Sequence, residues 1–141
     1  MAVAGFPAYF AHYAKPRTPK DLTNRNCINL RTPTHGGAYV WEFEKNRREV
    51  NVRVDGQFAF NTSMMILEAG LAGLGLIYLT EGQVQPHLQS GRLIRVLEDR
   101  CPPFPGYHLY YPSHRQPTAA FTLLVDALRY RGSQADKPVS K

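Results

Sequence analysis

Period-two alternation dominates the middle of the chain. In "YVWEFEKN", "REVNVRV" and "QFAFN" apolar and polar residues take turns, and short polar breaks fall at Asn46-Arg47 and Asp55-Gly56. Alternation at this period describes strands with one face buried, so the three runs predict an antiparallel meander, with Asp55-Gly56 as a tight hairpin signal. Trp41 and Phe43 then face the core while Glu42 and Glu44 face water.

The flanking segments change period. "MAVAGF" reads as a short strand and "PAYFAHYA" as a helix with Pro7 in its first turn. A second short helix is predicted at "TPKDLTN", where Thr18 caps, Pro19 suits the first helical position and Asp21 favours the positive end of the helix dipole. "CINLR" is a buried strand, and "PTHGGA" is a loop. A helix is predicted over 62 to 73, followed by the strand "LGLIYL", a short helix in "EGQVQPHLQSG" ended by Gly91, and strands in "RLIRVL" and "YHLYYP". The strongest helical pattern is "QPTAAFTLLVDALRYRG", with Ala120, Leu123, Leu124, Ala127 and Leu128 on one face. "SQADKPVSK" is a polar tail expected to be disordered. Strands alternating with helices around one meander define a mixed α/β domain. The proline-rich "EDRCPPFPG" reads as a hinge, and the strand and helix after it want a partner sheet that little remaining sequence can build.

Length and charge narrow the classes. With 141 residues, 43% of them hydrophobic, the chain suits one domain with a real core. No apolar run approaches the ~18 residues of a membrane helix, and the start lacks the pattern of a signal peptide, so no membrane association and a bacterial, cytoplasmic location are expected. The net charge of +6 is spread over segments interleaved with acids, without the aromatic and basic pattern of a nucleic-acid module.

Candidate chemistry is sparse. The five histidines form no i, i+4 ligand pair, neither HExxH nor CxxC is present, and Cys27 and Cys101 lack metal spacing. Cys27 opens an apolar strand, as a buried small hydrophobe does. Gly73-Leu74-Gly75 lacks the third glycine of a dinucleotide fingerprint, and Walker and GxSxG motifs are absent. Neither an enzyme, a metal site nor a cofactor is therefore expected. What remains is binding. Arg31-Thr32-Pro33-Thr34 and Asn61-Thr62-Ser63-Met64 both lie at carboxyl ends of predicted strands, where open α/β sheets hold ligands. Arg31 suits a carboxylate, the threonine and serine hydroxyls add hydrogen bonds, and the helix start favours an anion. The plainer alternative makes Arg31 a surface residue and the helix start a structural cap.

Taken in order, "FPAYFAHYAKPRTPKDL", "CINLR", "WEFEKNRREVNVRVDGQFAFNTS", "MILEAGLAGLGLIYLTEGQVQPHLQSGRLIRVLED" and "PPFPGYHLYYPSHRQPTAAFTLLVDALR" resemble the C-terminal effector-binding region of LysR-type transcriptional regulators. The resemblance runs over roughly residues 1 to 131. It implies a periplasmic-binding-protein-like (type II) α/β fold of two halves around an effector cleft. Residues 1–98 would form the second half, residues 99–131 would cross back with a strand and helix to the first, and residues 132–141 would be the tail. It further implies a non-enzymatic sensor for a small-molecule effector, homo-oligomeric through this region, with DNA bound only through a winged helix-turn-helix absent from this chain. Arg31 to Thr34 and Asn61 to Met64 carry over as effector-binding positions. The chain departs from the family pattern at Phe6, where a small hydroxyl residue commonly precedes Pro7, and at Met64, which is often polar or acidic. An alternative function is a stand-alone truncated protein that pairs with intact regulators as an interaction partner.

Overall fold

Strand β1, Ala2–Gly5, is apolar and small at every position, and the fold uses it as the centre of a three-stranded sheet. A computed structural model of the protein describes residues 1–32, 37–101, 110 and 118–129. The chain divides into two units, Met1–Pro105 and Gly106–Lys141. In the first, β1 is followed by helix α1 (Pro7–His12) and a 3-10 helix (Pro19–Asn24), then by strands β2 (Asn29–Leu30), β3 (Trp41–Lys45), β4 (Arg48–Val52) and β5 (Ala59–Phe60). Helix α2 (Ser63–Leu71), strand β6 (Ile77–Leu79), helix α3 (Glu81–Gln89), strand β7 (Ile94–Val96) and a 3-10 turn at Glu98–Arg100 complete it.

β6 and β7 flank β1, both antiparallel to it, with Val3 opposite Tyr78 on one side and Val96 on the other. Alternation along β1 splits the core in two. Val3 joins Leu22, Trp41, Phe43, Val52 and Tyr78 on one face, whereas Ala2 and Ala4 join Ile66, Ala69, Ile77, Leu79 and Val84 on the other. The small alanines let α2 and α3 approach the second face closely. The same closeness governs Gly70, where a Cβ would lie 2.7 Å from Ile77 Cγ2. α2 ends in a Schellman arrangement, in which Leu74 N–H donates to Ala69 O and Gly73 N–H to Gly70 O, with Gly73 at φ 78°.

The first face is closed by the β3–β4 hairpin. Its turn is Asn46-Arg47, at φ 52° and 61°, the left-handed pair of a type I′ turn. Trp41 and Phe43 are buried and Glu42 and Glu44 exposed, as alternation predicts. Trp41 stacks on Tyr78 with ring centroids 5.1 Å apart, a pairing worth about 1 kcal/mol beyond the buried area. The Tyr78 hydroxyl donates to Glu42 O, tying the hairpin to β6. The predicted "TPKDLTN" helix is present as the 3-10 helix. The Asp21 carboxylate accepts from the N–H groups of Arg17 (2.8 Å) and Thr18 (2.9 Å) and from the Thr18 hydroxyl (3.0 Å). At α1, Phe6 occupies the cap position and supplies no side-chain hydrogen bond, while Pro7 opens the helix.

The expected three-strand meander is not what forms. β5 leaves the hairpin and pairs in parallel with β2, Asn29 opposite Ala59 and Leu30 opposite Phe60. The reason lies at Gly56, which makes a close approach rather than a hairpin turn. A Cβ there would sit 1.9 Å from Cys27 O, and Cys27 N–H donates to Asp55 O at 3.0 Å. Asn26 holds the arrangement from both sides, its Nδ2 donating to Leu74 O (2.6 Å) and its Oδ1 accepting from Gln57 N–H (2.9 Å).

In the second unit, helix α4 (Ala119–Leu128) is capped by Thr118, whose hydroxyl oxygen accepts from Phe121 N–H at 3.3 Å. Leu123, Leu124 and Leu128 on the predicted apolar face are exposed. The predicted strand in "YHLYYP", the proline-rich crossing from Pro102 onward and the C-terminal tail lie outside the described residues, apart from Tyr110.

Candidate functional site

Parallel pairing of β2 with β5 carries their chain exits in one direction. Beyond the strands, Arg31 N–H donates to Phe60 O at 2.7 Å, so Arg31 stands beside the Phe60-Asn61 junction and α2 begins two residues later. Carboxyl strand ends and a helix N-terminus thus meet, the arrangement in which α/β sheets present ligand-binding groups.

The predicted residues have different roles. Arg31 is exposed and forms no ion pair among the described residues. Its backbone bridges Ala38, and Thr32 N–H and hydroxyl both donate to Gly37 O, at 3.2 and 3.4 Å. Thr32 therefore closes a loop whose inner residues, Pro33 and Thr34 among them, lie outside the described residues. Asn61 is exposed, and Met64 is 63% exposed on the first turn of α2. Thr62 is the cap, its hydroxyl oxygen accepting from Met65 N–H at 3.5 Å. The N–H groups of Ser63 and Met64 have no acceptor within the helix, because first-turn donors never do. Together with the dipole they give this end a positive character that suits an anion.

Two residues outside the predicted set shape the site. Asn29, 5% exposed, accepts from Trp41 Nε1–H at 3.1 Å and from Leu30 N–H at 2.8 Å, and it donates to Tyr39 O at 3.0 Å. This fixes β2 against the hairpin side and so fixes where Arg31 emerges. Gln83, near the start of α3, donates through Nε2 to Ser63 Oγ at 2.8 Å. An Asn in an apolar strand is a visible signal of the first role. The second links residues 20 positions apart and leaves no local signature.

A recess of about 240 Å³ lined by Asn29, Tyr39, Arg53 and Val54 adjoins the hairpin. Its buried amide is already satisfied by the partners just named, and among the described residues Arg53 is the charged group of its lining. Elsewhere burial raises several thiol and phenol groups. Burial pushes the Cys27 thiol up to about 12, and its S–H points at Leu22 O, 3.7 Å away. Burial likewise raises Tyr78 and Cys101. Among the described residues no three His, Cys, Asp or Glu side chains converge as metal ligands, and no helix is long and apolar enough to cross a membrane.

Two helices packed on one sheet face, parallel strand ends open at one edge and donors gathered there define an α/β ligand-binding module. The comparisons with known proteins agree. The family model described as the LysR substrate binding domain matches residues 1–133, and the chain belongs to that family. A putative transcriptional regulator of Pseudomonas aeruginosa is 59% identical over 130 residues, covering 92% of this chain and 42% of the relative. The HTH-type transcriptional regulator PgrR of Escherichia coli is 42% identical over 133 residues, covering 94% of this chain and 44% of the relative. The chain thus spans less than half the length of these relatives. Among solved structures, CrgA, a LysR-type transcriptional regulator from Neisseria meningitidis, superposes with a TM-score of 0.63 at 18% identity, covering 73% of this chain and 34% of CrgA. That likeness establishes the fold.

Proposed function

We propose that this chain is the sensing part of a LysR-type transcriptional regulator and that it binds a small carboxylate effector between Arg31 and the first turn of α2. The observation that supports the reading is the parallel β2–β5 register, which brings the backbone of the exposed Arg31 beside the Phe60-Asn61 junction that leads into the capped start of α2. Arg31 pairs with the carboxylate, while the N–H groups of Ser63 and Met64 and the Ser63 hydroxyl complete its coordination. Residues 1–98 form one wall of the cleft, and residues 99–131 cross to the half that faces it. Effector binding favours the closed arrangement of the two halves by its differential affinity for it, and in the homo-oligomer that shift is passed to promoter DNA through the regulator's DNA-binding domain.

The test is titration of the 15N-labelled 141-residue chain with acetate and with benzoate, following the amide resonances of Arg31 and of Ser63 to Met65. Saturable shifts confined to these residues, lost in Arg31→Ala, are expected. Equal response in wild type and Arg31→Ala, or none in either, overturns the reading.

A further inference from the structure

A hydrogen-bond chain runs behind the first turn of α2 and ties it to the first turn of α3. The Thr80 hydroxyl donates to Gln83 Oε1 at 2.8 Å, and Gln83 Nε2 donates to Ser63 Oγ at 2.8 Å. All three side chains are partly buried. Thr80 and Gln83 stand at the cap and third positions of α3, the T-x-x-Q spacing that ordinarily lets each side chain satisfy its own helix's backbone. Here Thr80 makes no such cap bond, and the Gln83 amide is turned toward a different helix. Two residues able to stabilise α3 serve Ser63 instead.

The direction of the hydrogens gives this arrangement a chemical meaning. A hydroxyl carries one hydrogen and can accept on its oxygen, whereas an amide presents acceptor and donor at opposite corners. With Thr80 donating to Oε1, the NH2 group faces Ser63. Ser63 accepts, and among the described residues its own hydrogen has no acceptor. The neighbouring N–H groups of Ser63 and Met64 are donors as well. The first turn of α2 is thereby set as a cluster of donors, whose complement has acceptors only.

We propose that Gln83 is a positioning residue of the effector site, which commits the Ser63 hydroxyl to donation and so selects a carboxylate over a carboxamide or another group that must itself donate. This rests on the carboxylate site proposed above. Gln83 itself touches no effector and acts through Ser63.

A double-mutant cycle on the full chain tests it, with acetate affinity read from the Ser63 to Met65 amide shifts and acetamide as the non-ionic control. Gln83→Met keeps the side chain's length and removes both hydrogen bonds. It is expected to weaken acetate about threefold to tenfold when Ser63 is present, and by less than about twofold in a Ser63→Ala background, consistent with one hydrogen bond to a charged group. Thr80→Val, which only frees the amide to turn, should give a smaller loss with the same dependence on Ser63. In the ligand-free chain, Ser63→Ala should move the Gln83 side-chain NH2 resonances and speed their exchange with solvent. Equal losses in both backgrounds, unchanged affinity, or Gln83 resonances indifferent to Ser63→Ala would overturn the proposal while leaving the carboxylate site standing. Absence of any acetate shift in the wild type would overturn the site and this role together.

Discussion

The β3–β4 hairpin and the β2–β5 pair are both two-stranded, and they are built on opposite plans. The hairpin has five residue pairs in register, a two-residue left-handed turn and two large aromatic side chains pressed into the core. The parallel pair has two residue pairs and no turn of its own, and it depends on neighbours: Gly56 against Cys27, Asn26 between two loops, Asn29 beneath Trp41. The well-built element is turned to stability. The slight one ends in Arg31 and Asn61, both exposed, where the proposed effector site lies. A binding edge needs unfilled hydrogen-bonding capacity, and the surrounding core must hold that edge in place.

Substitutions can separate the two plans. The largest effect is expected from Trp41→Ala, which empties the hairpin's core contact and removes the donor to Asn29, costing about 3 to 5 kcal/mol in urea unfolding. Asn26 and the close approach at Gly56 still support the parallel pair, so acetate shifts should persist, weakened, in the fraction that remains folded. Gly56→Ala is the converse. Its Cβ meets a backbone carbonyl that no rotamer can move away, so a loss of at least about 2 kcal/mol is expected, with the Arg31 and Asn61 amides displaced more than those of β3. Thr62→Ala removes the cap of α2 and should cost about 1 kcal/mol, seen as faster hydrogen exchange at Met65 and Ile66 with β4 unchanged. The smallest effect lies on the hairpin side, where the 3-10 helix packs on β4. The N–H groups of Arg17 and Thr18 and the Thr18 hydroxyl hold the exposed Asp21 carboxyl below its ordinary value of 3.8. Its contribution is present above that value and is lost as pH falls through the depressed one. Asp21→Asn should abolish this acid-side dependence of the 3-10 helix's amide shifts and leave those of β2 and β5 unaffected.

The same contrast explains what could be read from the residues. The hairpin is legible because its causes are local: Trp41 and Phe43 alternate with Glu42 and Glu44, and Asn46-Arg47 tolerates the left-handed turn. The start of α2 is legible through Thr62, and its end through Gly73. The route of β5 is not, because Asp55-Gly56 between two alternating runs carries the usual hairpin signature. The real constraint is the carbonyl of Cys27, far away in sequence. Within the candidate site, Arg31 and Asn61 to Met64 stand out as polar positions at predicted strand and helix ends. The bonds that orient them, from Asn29 and Gln83, join residues whose nearness exists only after folding.

Trp41 is the chain's sole tryptophan, and its indole N–H reaches Asn29 on the very strand that delivers Arg31. With its ring stacked on Tyr78 and shielded from water, it will emit at short wavelength and receive excitation energy from that tyrosine. Any shift of β2 changes the partner of the indole N–H, and with it the colour and yield of that emission. The protein thus carries a native optical gauge at the root of the proposed binding edge, readable without a label.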